Sequence, residues 1–395
     1  MRSSRRMSVL VAVLLAIGVV GFYLTEPSTL PSSLFEARSA NLANGENMFN
    51  VGGCISCHGK KQDSGMSLGG GLVLHSPFGS FKVPNISSSA DHGIGAWSEA
   101  QFANAMLRGI GRNGEHLYPS FPYTSYRRMS VADVRDLYAF LKTLPSDPTR
   151  SEPHDLQFPF NIRRAIGAWK LLFFDEEPFS SDRSKDAAYD RGAYLVEGPG
   201  HCAECHSPRN VLGAIKASDR FAGGPIMAGD GWVPNITPHP DGLQSWSLKD
   251  MEYFLETGVG PDSSSVSGEM EEVVRNLARL SAVDRHAMAT YLKALPPRPG
   301  NKPAKKRPAK ALTCWPATHF HALICAMFQE PSQAASAVDA EKSAIWSGRS
   351  GLSRYCRLDV RLGSKSEEIG VVRACPFVPH NLTKWMVQDM VRASN

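Results

Sequence analysis

A 395-residue chain that carries the same string of motifs twice is constrained, before anything else, to fold as two copies of one unit. Cys54-Ile-Ser-Cys57-His58 returns as Cys202-Ala-Glu-Cys205-His206, at an offset of 148 residues. Val83-Pro-Asn-Ile86 returns as Val233-Pro-Asn-Ile236 at 150, and Trp97-Ser98 as Trp246-Ser247 at 149. The string MSVADVRDLYAFLKTLP from Met129 returns as LSAVDRHAMATYLKALP from Leu280 at 151. Four matches in order at a nearly constant offset predict two tandem domains of one fold.

Each unit reads as mainly helical. Short helices are expected over Asn44 to Val51 and Ala187 to Glu197, ending at glycine-rich turns before the cysteines. Ser98, Ser130, Ser247 and Ser281 each stand three residues before Gln or Asp, the pattern of a helix N-terminus. The last helix of each unit places Val134, Leu137, Tyr138 and Leu141, or Ala287, Met288, Tyr291 and Leu292, at helical spacing, and Pro145 and Pro296 stop it. The loops between are long, rich in Gly and Pro, and offer few strand candidates. So much loop around so little apolar helix makes a poor core by itself, and a large buried prosthetic group would supply the missing apolar surface.

Cys-x-x-Cys-His is the attachment signature of c-type haem, in which two thiols form thioethers with the porphyrin and the histidine ligates iron. Cys54, Cys57, Cys202 and Cys205 are the expected attachment residues of two haems, with His58 and His206 as axial ligands. A redox dithiol or half of a zinc site is the competing use of CxxC. Met270 is the candidate sixth ligand of the second haem, its alternative being a core position on one helical face with Val273, Val274 and Leu277. In the first unit the repeat pairs Met129 with Leu280, so Met129 is either a ligand or a hydrophobic staple on Val134, with Met106 or an open site behind it. Asn85 and Asn235 either orient the haem edge or brace a loop. Trp97 and Trp246 either donate to haem propionates or act as staples. The loop histidines His75, His92 and His116 are expected to be solvated.

The formal net charge of +5 describes no single surface. Residues 1–24 hold +3, the linker 298–310 holds +6 and the tail beyond it +2, which leaves residues 25–297 at −6. An acidic body with basic ends argues against nucleic acid as a partner. The uncharged stretch from Met7 to Thr25 follows three arginines and reads as an export segment, with an uncleaved single-pass anchor expected over a removed signal peptide. That places the remainder outside the cytoplasm. Cys314, Cys325, Cys356 and Cys375 lie in the tail at gaps of 11, 31 and 19, which is not metal spacing; two disulfides or a poorly ordered extension are the alternatives, and low order is expected.

Several longer strings are more specific than CxxCH. VPNI with GIGAWS (Gly93 to Ser98), LYPSFPYTSYRRM (Leu117 to Met129), RGAYLVEGPGHCAECHSPRN (Arg191 to Asn210) and GEMEEVV (Gly268 to Val274) together resemble the cytochrome c subunits of periplasmic membrane-bound quinoprotein and flavoprotein dehydrogenases, of the alcohol and gluconate type. The resemblance covers roughly Ala43 to Pro297. It implies a mainly α fold with two tandem class I cytochrome c-like haem domains, at 40–146 and 186–297. Around them stand a signal or anchor helix over 1–25, an amphipathic strut in 147–185 and a basic linker and tail over 298–395. It also implies Met129 and Met270 as sulfur ligands, a dehydrogenase subunit as electron donor, and membrane quinone, a terminal oxidase or another cytochrome as acceptor. The relatives often have three haem domains, and this chain has two CxxCH motifs. The expected function is electron transfer from a dehydrogenase oxidising an alcohol, aldehyde or sugar to the respiratory chain, without catalytic residues of its own. A dihaem enzyme, a peroxidase or a thiosulfate-oxidising cytochrome, is the alternative and requires a haem with an open or unusual sixth position.

Overall fold

Serine and asparagine side chains set the helix starts. The computed structural model describes residues 2–60, 66–226, 231–300, 359–362 and 369–373. They fall in two units, Met1–Ala304 and Lys305–Asn395. In chain order the first unit contains α1 (Arg2–Leu24), α2 (Leu42–Val51), α3 (Cys54–His58), β1 (Val73–Ser76), β2 (Gly79–Lys82), α4 (Glu99–Arg108), α5 (Tyr123–Tyr126), α6 (Val131–Thr143), β3 (Asp155–Leu156) and α7 (Ala165–Phe173). It continues with α8 (Ala187–Glu197), α9 (Ala203–His206), β4 (Gly224–Pro225), β5 (Trp232–Val233), α10 (Leu248–Thr257), α11 (Glu269–Leu277) and α12 (Ala282–Ala294). Ser98 and Ser247 are the expected N-caps of α4 and α10, and each forms a capping box, with Gln101 and Asp250. Ser130 and Ser281 accept from the Asp133 and Asp284 backbone N–H groups, at 3.0 Å each, to start α6 and α12. Asn41 caps α2, two residues earlier than the sequence suggests.

The same helix crossing occurs in each half: α2 packs on α6, and α8 packs on α12. A glycine sits at each crossing because the backbones approach too closely for a side chain. A Cβ on Gly45 would lie 2.7 Å from Phe140 Cβ, and one on Gly192 would lie 2.9 Å from Tyr291 Cβ. The buried apolar residues of both halves, among them Phe49, Leu137 and Leu141 with Leu195, Met288 and Leu292, form one continuous cluster.

The halves meet reciprocally. Asn47 on α2 donates to Asp284 Oδ2 at 3.1 Å, and Tyr194 on α8, at the matching repeat position, donates to Asp133 Oδ2. Residues i and j of one half thus meet j and i of the other, as in an isologous dimer.

Three features differ from expectation. Strands occur where few were expected: β1 and β2 form an antiparallel hairpin across Ser76-Pro77-Phe78-Gly79, and β3 adds to its edge. Proline and a φ of +120° at Gly79 make that turn. Second, α7 is amphipathic with an inverted face, for Lys170 is buried while Leu171 and Leu172 are 58% and 70% exposed. Third, among the described residues no helix is long and apolar enough to cross a membrane, so the expected anchor is not carried by the structure. The tail cysteines and the expected low order of 298–395 lie mostly outside the described residues. There, β6 (Asp359–Leu362) and β7 (Ile369–Arg373) pair antiparallel, a local order that weak apolar periodicity did not suggest.

Candidate functional site

The two CxxCH segments form the short helices α3 and α9 that follow α2 and α8, with Cys202 at the N-cap of α9. Cys54, Cys57, Cys202 and Cys205 are all free thiols; Cys54 and Cys202 are half-buried and Cys57 and Cys205 exposed. Burial pushes Cys54 and Cys202 up to about 12, and Cys205 up to about 11 with help from Glu269, Glu204 and Cys57. Cys57 and Cys205 are thus reachable by solvent yet ringed by protein, as side chains on the wall of a cleft are. A redox dithiol needs the opposite shift, toward the thiolate. Among the described residues no group of three or more His, Cys, Asp or Glu is placed to hold a metal ion.

Each histidine of the two motifs holds one ring nitrogen against a main-chain carbonyl. His58 Nδ1 lies 2.8 Å from the Pro84 carbonyl, and His206 Nδ1 lies 2.8 Å from the Pro234 carbonyl. A carbonyl only accepts, so each Nδ1 carries the hydrogen and each Nε2 presents its lone pair, the tautomer a metal requires. Burial lowers both imidazoles, His58 to about 4, and so keeps them neutral. The repeated Val-Pro-Asn-Ile therefore has a function at its proline: it supplies the carbonyl that orients the ligand.

Its asparagine braces the loop, resolving the alternatives for Asn85 and Asn235. Asn85 Nδ2 donates to the carbonyls of Asp147 and Thr149 at 2.9 and 2.8 Å, and its Oδ1 accepts from Ser87 N at 2.8 Å. Asn235 Nδ2 donates to the Arg298 carbonyl at 2.7 Å, and its Oδ1 accepts from Thr237 N at 2.8 Å. Both braces reach the chain just beyond the last helix of their half. Arg298 therefore belongs with the second half, and the boundary expected at 297 falls short of it.

Sequence reasoning missed Gly70 and Gly223. Their N–H groups donate to the carbonyls of His58 and His206 at 2.9 and 2.8 Å. Their φ values are +70° and +79°, and a side chain on either would strike the Val-Pro backbone of its half. The signal available was a glycine run upstream of each VPNI motif, Gly69 to Gly71 and Gly223-Gly224, lost among other loop glycines.

Met129 is 3% exposed and lies in the core cluster. Its N–H donates to Tyr126 O at 2.8 Å, as that of Leu280 does to Leu277 O at 3.0 Å, so the two share one turn geometry. Met106 is also buried, on α4. Met270 is half-buried in the first turn of α11 and outside the core cluster that holds Leu277, contrary to the core alternative. Trp97 and Trp246 are half-buried and pack against the core, and their carbonyls accept from Tyr138 Oη at 2.5 Å and Lys293 Nζ at 2.8 Å. His75 and His92 are exposed as expected; His116 is not, being 4% exposed with Nε2 at 2.9 Å from Thr25 O.

The attachment segments are tied to the opposite halves. Glu204, before Cys205, accepts from Thr124 Oγ1 and Ser125 Oγ of α5 at 2.7 Å each and pairs with Arg209 at 2.6 Å. Ser56, at the same place before Cys57, accepts from Asn276 Nδ2 of α11 at 2.9 Å.

Two CxxCH cysteine pairs, each followed by a histidine with Nε2 left free, fit a protein with two covalently bound haem c groups. Residues 42–145 match the cytochrome c family model. The chain is 45% identical over 288 residues to a dihaem c-type cytochrome of Cereibacter sphaeroides, covering 72% of this chain and 96% of that one. It is 36% identical over 275 residues to the fructose dehydrogenase cytochrome subunit of Gluconobacter japonicus, across 69% of this chain and 55% of the relative. It is 34% identical over 276 residues to the cytochrome c subunit of the quinone-dependent alcohol dehydrogenase of Gluconobacter oxydans, across 68% of this chain and 57% of the relative. The chain thus spans little more than half the length of these two dehydrogenase subunits. It belongs to the dihaem c-type cytochromes.

Proposed function

We propose that this chain is the electron-carrying subunit of a periplasmic dehydrogenase complex, with two tandem cytochrome c-like domains of which the second extends to Gly300. The observation that carries this reading is the pair of imidazoles with Nδ1 committed to the Pro84 and Pro234 carbonyls, which leaves Nε2 for iron in both halves. The haem iron supplies one-electron redox chemistry. The residues hold and orient: four cysteines attach, two histidines ligate, and the VPNI loops fix the imidazole planes. Met129 and Met270 are the sixth ligands in this reading; the position of Met270 outside the core cluster supports it, and burial of Met129 agrees with it. His/Met ligation raises the potential and suits acceptance of electrons from a dehydrogenase.

The names of the fructose and alcohol dehydrogenase subunits support a dehydrogenase as donor. Quinone, a terminal oxidase or another cytochrome is the acceptor. The chain works on the outer face of the inner membrane, with α1 held in the bilayer. Support for that comes from the bare apolar side chains of α1, with Leu10, Leu15, Ile17 and Phe22 54–65% exposed.

The test is optical. The ferric holoprotein is expected to show the far-red band of sulfur-ligated haem, reduced by half in Met129→Ala and in Met270→Ala. A high-spin haem in the wild type that binds and turns over peroxide would replace the carrier with a dihaem peroxidase.

A further inference from the structure

In half one the residue before the first haem-binding cysteine is Gly53, in the left-handed conformation at φ +56°. In half two the matching residue is His201, at φ +39°. A backbone that the repeat otherwise gives to glycine is here imposed on a side chain, which points to a use for that side chain. The imidazole crosses to the other half. His201 Nε2 lies 3.2 Å from the carbonyl of Gly52, so it donates there. The ring meets Tyr126 of α5 edge to face, with centroids 5.5 Å apart at 78°. Tyr126 is buried beside the Cys54 and Cys57 thiols.

We infer that this contact is the electron junction between the two haems, and that His201 is the residue that positions it. The inference rests on the carrier reading above. From Cys54 the backbone runs through Gly53 to the Gly52 carbonyl; one hydrogen bond leads to His201, and the next residue is Cys202. Two covalent stretches and one hydrogen bond therefore join a thioether position of one haem to that of the other. The Glu204 and Ser56 contacts to α5 and α11 hold the same two segments face to face. In the step one haem iron goes from Fe(II) to Fe(III) while the other goes from Fe(III) to Fe(II). One electron crosses, and no proton or bond moves.

The experiment is pulse radiolysis of the full-length holoprotein, which reduces one haem and follows redistribution optically, with both potentials taken by spectroelectrochemistry. His201→Gly restores the residue that the repeat uses. It is expected to keep haem content, ligand bands and both potentials, and to slow internal transfer by roughly tenfold or more, as misplacement by about an ångström does to a positioned reaction. His201→Gln places an amide nitrogen where Nε2 stands and offers it to the Gly52 carbonyl, so it is expected to recover most of the rate. If His201→Gly loads haem poorly, the comparison of His201→Gln with His201→Ala, which has no donor, carries the test. Equal rates with and without a donor, or a wild type whose haems do not equilibrate, overturn the junction. Neither result touches the carrier reading, which falls only on a high-spin, peroxide-consuming haem.

Discussion

Replacing Glu204 by alanine should loosen the contact between the halves more than any single surface change. The carboxylate has 10% of its side-chain surface exposed and Arg209 has 18%, so both charges are largely withdrawn from water. Removing one member of a buried pair leaves the other uncompensated, which costs about 3–5 kcal/mol. Arg209 keeps the Gly213 and Glu204 main-chain carbonyls, both at 2.8 Å, and neither is lost with the side chain, which favours the lower end. The half-buried Thr124 hydroxyl turns to water, but Ser125 is 1% exposed and its hydroxyl is left without an acceptor, which adds about 1 kcal/mol. The expected loss is therefore about 4 kcal/mol. With a urea slope of about 1–3 kcal/mol per molar, the midpoint of the holoprotein should fall by roughly 1.3–4 M, read by tryptophan fluorescence. Glu204→Gln keeps an acceptor for the hydroxyls and should cost about half as much, near 2 kcal/mol. If the orphaned guanidinium is the cause, Arg209→Ala in the Glu204→Ala background should add little, with a coupling of about 1–3 kcal/mol. A midpoint shift below roughly 0.3 M, or strict additivity of the pair, would refute the reasoning.

Four other outcomes follow from the geometry. Asp147 is 4% exposed; burial works against its charge, but Lys60, Ser67 and Thr149 outweigh it and hold the carboxyl well below the usual carboxylate range. A depressed folded value stabilises fully above the unfolded pKa of about 3.9 and is lost as pH falls below it, so Asp147→Asn should flatten the acid limb of a melting-temperature profile under about pH 4. Alanine at Gly45 or Gly192 should overpack its helix crossing and cost about 1–3 kcal/mol in urea titrations, with matching losses in haem-loaded yield. Asn85→Ala removes three hydrogen bonds of one loop and should lower the thermal midpoint by an amount equivalent to about 2–3 kcal/mol. A chain ending at Gly300 should retain both haems, whereas one ending at Pro297 loses the Arg298 carbonyl that Asn235 holds at 2.7 Å, and should shed stability at the second haem only.

Much of this was readable in the sequence because it depends on local chemistry. The CxxCH spacing, the serine caps and the proline stops act within a few residues, and α8 begins and ends where its pattern says. VPNI was visible as a repeat, but its work was not. That a proline carbonyl orients a histidine 26 or 28 residues away is a tertiary contact, and proline has no side-chain polarity to advertise it. Asn85 left two readings open for the same reason, since an amide that braces a loop and one that meets a ligand look alike until the partner carbonyl is known. The boundary at 297 follows from the prolines that stop the last helix. The bond that places Arg298 with the second half is made by backbone, which no residue pattern records.

Reciprocity also explains why the departures from the repeat carry the most information. Where two halves pack on one another through matching positions, a substitution on one side is met by a different environment on the other. Asn47 and Tyr194 make the same kind of bond to Asp284 and Asp133 and so preserve the symmetry. Ser56 and Glu204 keep the position and change the chemistry, from a neutral acceptor to a charge that needs Arg209 beside it. Gly53 and His201 break the symmetry outright, at a left-handed residue where a side chain costs about 1–2 kcal/mol of conformational energy. The hydrogen bond to Gly52 and the edge-to-face contact with Tyr126 each return about 1 kcal/mol, so together they do little more than offset that strain. A strained residue whose contacts only balance its strain, placed between two haem-binding cysteine pairs, has its reason in what passes between them.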